Sequence, residues 1–278
     1  MSTTNSTDYF WDFVIFQVED QLFKVPKLRF ADNPHPPFHE IFNGPREGTF
    51  WELEEGESPD RPIVLEQIAK VDFQRFLDAL YPKPQYIVDT SPNDHTSDVA
   101  ETEKWFSVLK LSSLWNFIPM RKTAIHHLSQ LSISASFTPI DYIVAGKEHG
   151  VLHWFLKGVI PIAGSHTSEI VHTDARRVGV DIAVSLYHLK GNVRSSVRGW
   201  ASLGVGREEA VLEVLTKGIW DYFMDDVREI ISKASVYQDT PLGRRSDRSF
   251  HSFVVDGFEP FKFRWEVSQE SEIIMYRD

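Results

Sequence analysis

The sequence predicts an α+β fold, and three observations carry that expectation. First, an alternating apolar run opens the chain: Val14, Phe16 and Val18 share one strand face, and Phe23 and Val25 return after the polar corner Glu19-Asp20-Gln21, the pattern of a β-hairpin. Second, a short apolar strand (Ile63, Val64, Leu65) leads to Phe73, Phe76, Leu77 and Leu80 at i, i+3, i+4 and i+7, an amphipathic helix. Third, the tail returns to a period of two. Phe253 and Val255 precede Asp256-Gly257, and Phe261, Phe263, Trp265 and Val267 follow it, which signals a second hairpin. The expected layout is a small sheet capped by helices, then an α-helical region, then a C-terminal β-hairpin.

Taken in order, residues 1–8 are polar and expected to form a disordered tail. After the first hairpin, Pro34, Pro36 and Pro37 preclude a continuous helix, leaving one helical turn from Phe38 to Phe42. Residues 43–61 read as a loop. The helix carrying Phe73 stops at Tyr81-Pro82, and 84–103 reads as a polar excursion. A helix is expected over 103–116, with Thr102 as its cap, Glu103 in its first turn, and Trp105, Val108, Leu111, Leu114 and Trp115 near helical spacing. Pro119 suits the first position of the next helix, which places Met120, Ala124, Leu128 and Leu131 on one side.

Thr138-Pro139-Ile140-Asp141 combines a cap, a proline and an acid in helix-start order, and Gly150 suits the stop. Helices are expected over 152–157 and 178–189. Residues 207–234 read as one long helix or two short ones. Gly218 is the weak point, at about 1 kcal/mol relative to alanine. The expected domains are 9–132, a helical extension over 133–235, and a β-tail over 236–278.

Composition narrows the function classes. The chain has 278 residues, 20 of them Phe and 8 Trp, so its cores are expected to be built on large rings. Its net charge of −11 argues against nucleic acid and anionic membrane as partners. The basic stretch Arg244-Arg245-Ser246-Asp247-Arg248 reads as a solvated loop. With no cysteine, disulfides, cysteine-ligated zinc and thiol chemistry are excluded. No apolar run approaches the ~18 residues of a membrane span. The N-terminal stretch lacks a signal-peptide pattern, so a cytoplasmic or nuclear setting is expected.

The segments FQVEDQLFKV, PIVLEQIAKVDFQRFLDALYP, WFSVLKLSSLWNF and RKTAIHHLS carry a resemblance. Over residues 10–131 the chain resembles a BTB/POZ domain, in the divergent form abundant in mushroom-type fungi. PIDYIVAGKEHGVLHWFLKG is similar to the short BACK-like extension of such proteins. The resemblance implies a protein–protein interaction fold. Many members dimerise through the first hairpin and first helix, and some tether substrates to cullin ubiquitin ligases. Pro26-Lys27 stands where the family usually has His-Arg, and the three prolines break the helix that would follow. The cullin-contacting motif has no clear counterpart after Pro84, so no cullin residue is carried over. Cys₂His₂ fingers are excluded for want of cysteine, and no repeat suggests a propeller.

Chemistry-bearing clusters are sparse. His126 and His127 are adjacent on a helix and point about 100° apart, poorly placed to share a metal. His149 and His153 have i, i+4 spacing, but Gly150 interrupts them. Gly164-Ser165-His166 lacks a nucleophile elbow, and Gly204-Val205-Gly206 lacks the strand and lysine of a phosphate loop. Glu52-Leu53-Glu54-Glu55 and Asp225-Asp226 lack calcium-loop spacing.

The rings Tyr9, Phe10, Trp11 and Phe13 are weighed as a lid on the core against a partner surface, since Trp and Tyr dominate binding hot spots. With Leu28 and Phe30 they form the candidate partner interface. No catalytic, cofactor or metal residue is assigned. The expected function is a non-enzymatic scaffold or adaptor with protein partners, self-associating as a homodimer or linked to a cullin-type ligase. The rival expectation is a small-molecule enzyme with a pocket in the C-terminal region, motivated by Trp200, Trp220, Tyr222 and Trp265.

Overall fold

The computed structural model describes residues 11–43, 56–82, 96–130, 137–164, 170–201, 207–237, 251–255, 258–267 and 273–277. Within these, side chains are described except at 96–98, 197–201, 207–213 and in the strands after 250. The tail 1–8, Tyr9, Phe10, much of the expected loop and excursion, Ser165-His166, the 204–206 turn, the basic stretch and Asp256-Gly257 lie outside the described residues. The fold is mixed α+β with helix predominating, and the chain divides into two units, Met1–Ile133 and Ser134–Asp278.

The first unit contains β1 (Phe13–Val18), β2 (Gln21–Pro26), α1 (Leu28–Ala31), α2 (Phe38–Asn43), β3 (Ile63–Val64), α3 (Lys70–Leu80), α4 (Thr96–Leu114) and α5 (Ile118–Gln130). Val18 pairs with Gln21, so Glu19-Asp20 form a two-residue turn, with Glu19 at φ 53°. The sheet order is β2-β1-β3, and β3 runs parallel to β1. Parallel pairing needs a crossover, and the segment holding α1 and α2 supplies it. Gly56 closes that crossover. Its carbonyl accepts from the Ile15 N–H at 2.7 Å, its φ is +87°, and a Cβ there would lie 2.8 Å from Val14 Cγ2.

Val14, Phe16 and Val18 face inward onto a core of rings. Phe16, Phe30, Phe38, Phe73, Phe76, Trp115 and Phe117 form a network of mainly tilted and edge-to-face contacts, with centroids 4.9 to 6.4 Å apart. This is the geometry the ring quadrupole favours. The helix α3 is fixed at both ends: Lys70 Nζ reaches Asp20 at 2.8 Å, and the Tyr81 hydroxyl donates to the Pro26 carbonyl at 2.5 Å.

Two details differ from expectation in this unit. The helix α4 begins at Thr96, so Thr102 lies inside it and not at its start; the acid-rich segment before Trp105 continues the helix. Pro119 is the second residue of α5, after Ile118.

The second unit contains α6 (Pro139–His149), α7 (Leu152–Gly164), α8 (His172–Val178), α9 (Val180–Ala201) and α10 (Arg207–Ser235), followed by β4 (His251–Val255), β5 (Phe258–Val267) and β6 (Ile273–Arg277). At the start of α6, Thr138 accepts from the Asp141 N–H, and the Asp141 carboxylate accepts from the Thr138 N–H at 2.7 Å. Gly150 ends the helix at φ 65°. The helix α7 runs past 157 to Gly164, with Pro161 inside it. Gly179, at φ 93°, separates α8 from α9, so the expected helix at 178–189 is divided after its first residue.

The helix α10 is continuous through Gly218. A Cβ at that glycine would lie 2.1 Å from Leu189 Cδ1, so the residue is a point of close helix approach. The strands β4, β5 and β6 form an antiparallel sheet in that order, one strand more than the hairpin expected.

Candidate interaction surface

Strand parity sets which residues of the first sheet face away from the rings. Because successive side chains alternate, Phe13, Ile15 and Gln17 of β1 point opposite to Phe16. The register sets Pro26 beside Phe13, Lys24 beside Ile15, and both Leu22 and Val64 beside Gln17. Val64 is 57 % exposed, Phe13 47 % and Leu22 48 %. Lys24 Nζ lies 5.3 Å from the centroid of the Phe13 ring. Ile15 alone on this face is buried. The outer face therefore carries apolar side chains on all three strands.

The strand β2 is an edge, with β1 on one side and no strand on the other among the described residues. Lys27 N–H donates to the Asp12 carbonyl at 2.7 Å, and Ile15 N–H turns the other way, to Gly56. Hydrogen-bonded and non-hydrogen-bonded pairs alternate along an antiparallel ladder. Phe23 and Val25 therefore bond to β1, while the backbone groups of Leu22 and Lys24 point out from the sheet. At Pro26 that edge closes, since proline has no N–H and its carbonyl is taken by Tyr81.

Charged groups around this surface hold the elements together. The Lys70 hydrogen bond keeps the Asp20 carboxyl below its usual range. Behind the sheet, Asp72 links α3 to α4 through Lys110 and Ser107, at 2.8 and 2.7 Å. Burial works to raise the Asp72 pKa, but those two hydrogen bonds and the charges of Lys110 and Arg75 outweigh it and hold the pKa down. Burial pushes the Tyr81 hydroxyl far above its ordinary pKa, so it serves as a neutral donor.

Of the residues expected at an interface, Trp11, Phe13 and Leu28 are exposed. Phe30 is not: it is fully buried and packs against Phe16 and Phe38. The cause is helical geometry. Residues two apart on a helix lie on opposite sides, so α1 turns Leu28 outward and Phe30 into the core. Leu22, Lys24 and Val64 were not singled out from the sequence. For Leu22 and Lys24 the signal was the parity of the alternation that marked Phe23 and Val25; Val64 carried no such signal.

The other clusters have packing roles. The His127 ring stacks on Trp105 at 4.0 Å, and His126 lies 6.1 Å from His127. His149 and His153 both pack at the edge of Trp154. Trp220 and Tyr222 pack against the helical core of the second unit, where Tyr222 Oη accepts from Asn192 at 2.8 Å. The side chains of Trp200 and Trp265 lie outside the described residues. Asp226 pairs with Lys147 at 2.6 Å. Among the described residues no group of three His, Asp or Glu could hold a metal ion, and no helix is long and apolar enough to cross a membrane.

No family model, no curated protein and no solved structure matches this chain.

Proposed function

We propose that the chain is a protein-binding module, with a first unit built on the BTB/POZ plan, acting as an intracellular scaffold or adaptor. The observation that carries this reading is the outer sheet face. Phe13, Leu22 and Val64 stay about half exposed on adjacent strands, while the rings behind them are sealed. Apolar area left in water costs about 25 cal/mol per Å², and docking relieves it at Leu22 and Val64, which flank Gln17 in one row, and at Phe13 farther along β1. The BTB-like plan draws support from the sheet order β2-β1-β3, with a parallel third strand and α3, α4 and α5 following it.

Pairing through the first helix is not the mode proposed. The helix α1 spans only Leu28–Ala31 and buries Phe30, which leaves Leu28 as its exposed apolar side chain. The test is quantitative affinity capture with the full chain and with the double variant Phe13→Asp/Val64→Asp, alongside gel filtration with light scattering. The wild type should retrieve a reproducible set of proteins that the folded double variant loses. Identical sets from both, or a strict monomer retrieving nothing, would refute the reading.

A further inference from the structure

The outer edge of β2 and the start of α1 carry one sign of charge in a chain of the opposite sign. From Gln21 to Ala31 the sequence QLFKVPKLRFA contains Lys24, Lys27 and Arg29 and no acid, whereas the whole chain carries −11. Lys24 Nζ lies over the Phe13 ring, and Lys27 Nζ lies 4.9 Å over that of Phe42. Among the described residues no carboxylate forms a salt bridge with any of the three. Asp20, at the hairpin turn, is engaged by Lys70. Asp12 stands across from Lys27, where the Lys27 N–H donates to its backbone carbonyl. The exposed apolar side chains Leu22 and Leu28 interleave with the cations.

We propose that this strip seats an acidic, extended segment of a partner protein, which adds to the sheet as a further strand beside β2. The inference rests on the reading of this unit as a protein-binding module and names the chemistry of what it binds. Main-chain bonding falls to the outward backbone groups of Leu22 and Lys24, and Tyr81 on Pro26 sets the end of the seat. Strand addition takes its affinity from main-chain hydrogen bonds and its specificity from alternate side chains. A carboxylate two residues from an apolar side chain on the incoming strand matches Lys24 and Leu22, which share the outer face. Complementary charge governs which segment is accepted and how fast it arrives. A second copy of the chain, itself strongly acidic overall, is the competing occupant.

The test is a fluorescence-anisotropy titration of the full chain against a labelled peptide of about ten residues repeating Glu-Ser-Val-Ser, which sets Glu and Val two apart on one face, and against the same repeat with Lys in place of Glu. The acidic peptide should bind, the basic one should not, and salt should weaken the acidic complex. Lys24→Glu with Arg29→Glu should weaken binding about tenfold or more, and Lys24→Arg should not. Leu22→Pro removes an outward N–H while sparing the β1 ladder, so it should weaken binding too; circular dichroism of each variant verifies the fold. Equal binding of both peptides, no binding of either, or indifference to Leu22→Pro would overturn the proposal. So would a stable dimer whose dissociation alone follows the Lys24 variant. If the Phe13→Asp/Val64→Asp variant still abolishes capture while the acidic peptide fails, only the partner chemistry is wrong. If capture is unaffected as well, the binding-module reading falls with it.

Discussion

The two units solve core packing in opposite ways. The first seals a short sheet and two very short helices with rings meeting edge to face. Each buried aromatic side chain removes roughly 150–250 Å² from water, so a few rings compensate for the shortness of the sheet and of α1 and α2. The second is a mainly aliphatic helical core of Ile, Leu and Val around the ring pair Phe155–Phe223, in which helices touch at glycines. A Cβ on Gly146 would lie 2.4 Å from the Phe155 backbone nitrogen, and one on Gly158 would lie 2.3 Å from the Pro139 carbonyl oxygen. The first unit is thus sensitive to lost volume and the second to added volume. Both units leave apolar side chains in water, Phe13, Leu22 and Val64 on the sheet of the first and Val180, Val184 and Tyr187 on α9 of the second; the docking role proposed above belongs to the first set.

The largest expected effect comes from deleting a ring. Phe38 touches Phe16, Phe30, Trp115 and Phe117, so Phe38→Ala should cost the first unit about 3–5 kcal/mol, read by urea unfolding. A loss under 1 kcal/mol would show that the rings are not coupled. Next is addition: Gly158→Ala should cost the second unit about 1–3 kcal/mol. Gly218→Ala should cost less, because the atom it meets is the tip of the flexible Leu189 side chain. The reverse order would contradict the packing contrast.

Thr138→Ala removes the α6 capping box and should cost about 1 kcal/mol, measured by thermal unfolding. Smaller still are the acid-limb effects. Asp72 in the first unit and Asp141 in the second both have depressed folded pKa values. Burial opposes the shift at each. Lys110 and Ser107 outweigh it at Asp72, and Thr138 and Arg177 do so at Asp141. A depressed carboxylate contributes its full stability above its unfolded pKa of about 3.9 and loses it as pH falls through the lower folded value. Asp72→Asn and Asp141→Asn should each flatten stability against pH below about 4, each in its own unit. An unchanged acid limb would remove these groups from the account. Smallest is Val64→Asp, which should shift stability by no more than about 0.5 kcal/mol while acting on binding.

Much of this was legible in the sequence because the period was strong. Val14, Phe16 and Val18 mark the inner sheet face by alternation, and Phe73, Phe76, Leu77 and Leu80 mark α3; all are buried. Thr138, Asp141 and Gly150 mark both ends of α6 by local chemistry alone. What failed needed tertiary information. Phe30 reads as a surface ring until α1 exists to turn it inward. Gly218 reads as a breaker because propensity cannot register Leu189 pressing on its α-carbon. Thr102 reads as a cap because nothing local marks the start of α4 at Thr96. On the candidate surface, Val64 was hidden inside an apolar triplet that has no alternation of its own. Only pairing with Gln17 shows which way it faces.

The most direct test places a photoreactive benzoylphenylalanine at Val64 in one full-length variant and at Tyr187, exposed on α9 of the second unit, in another. Both are irradiated in a lysate, and cross-linked proteins are quantified against unirradiated controls. The expected result is a reproducible protein adduct at position 64 that is absent at 187. Adducts at 187 with none at 64 would contradict the assignment of the docking surface to the ring-built unit.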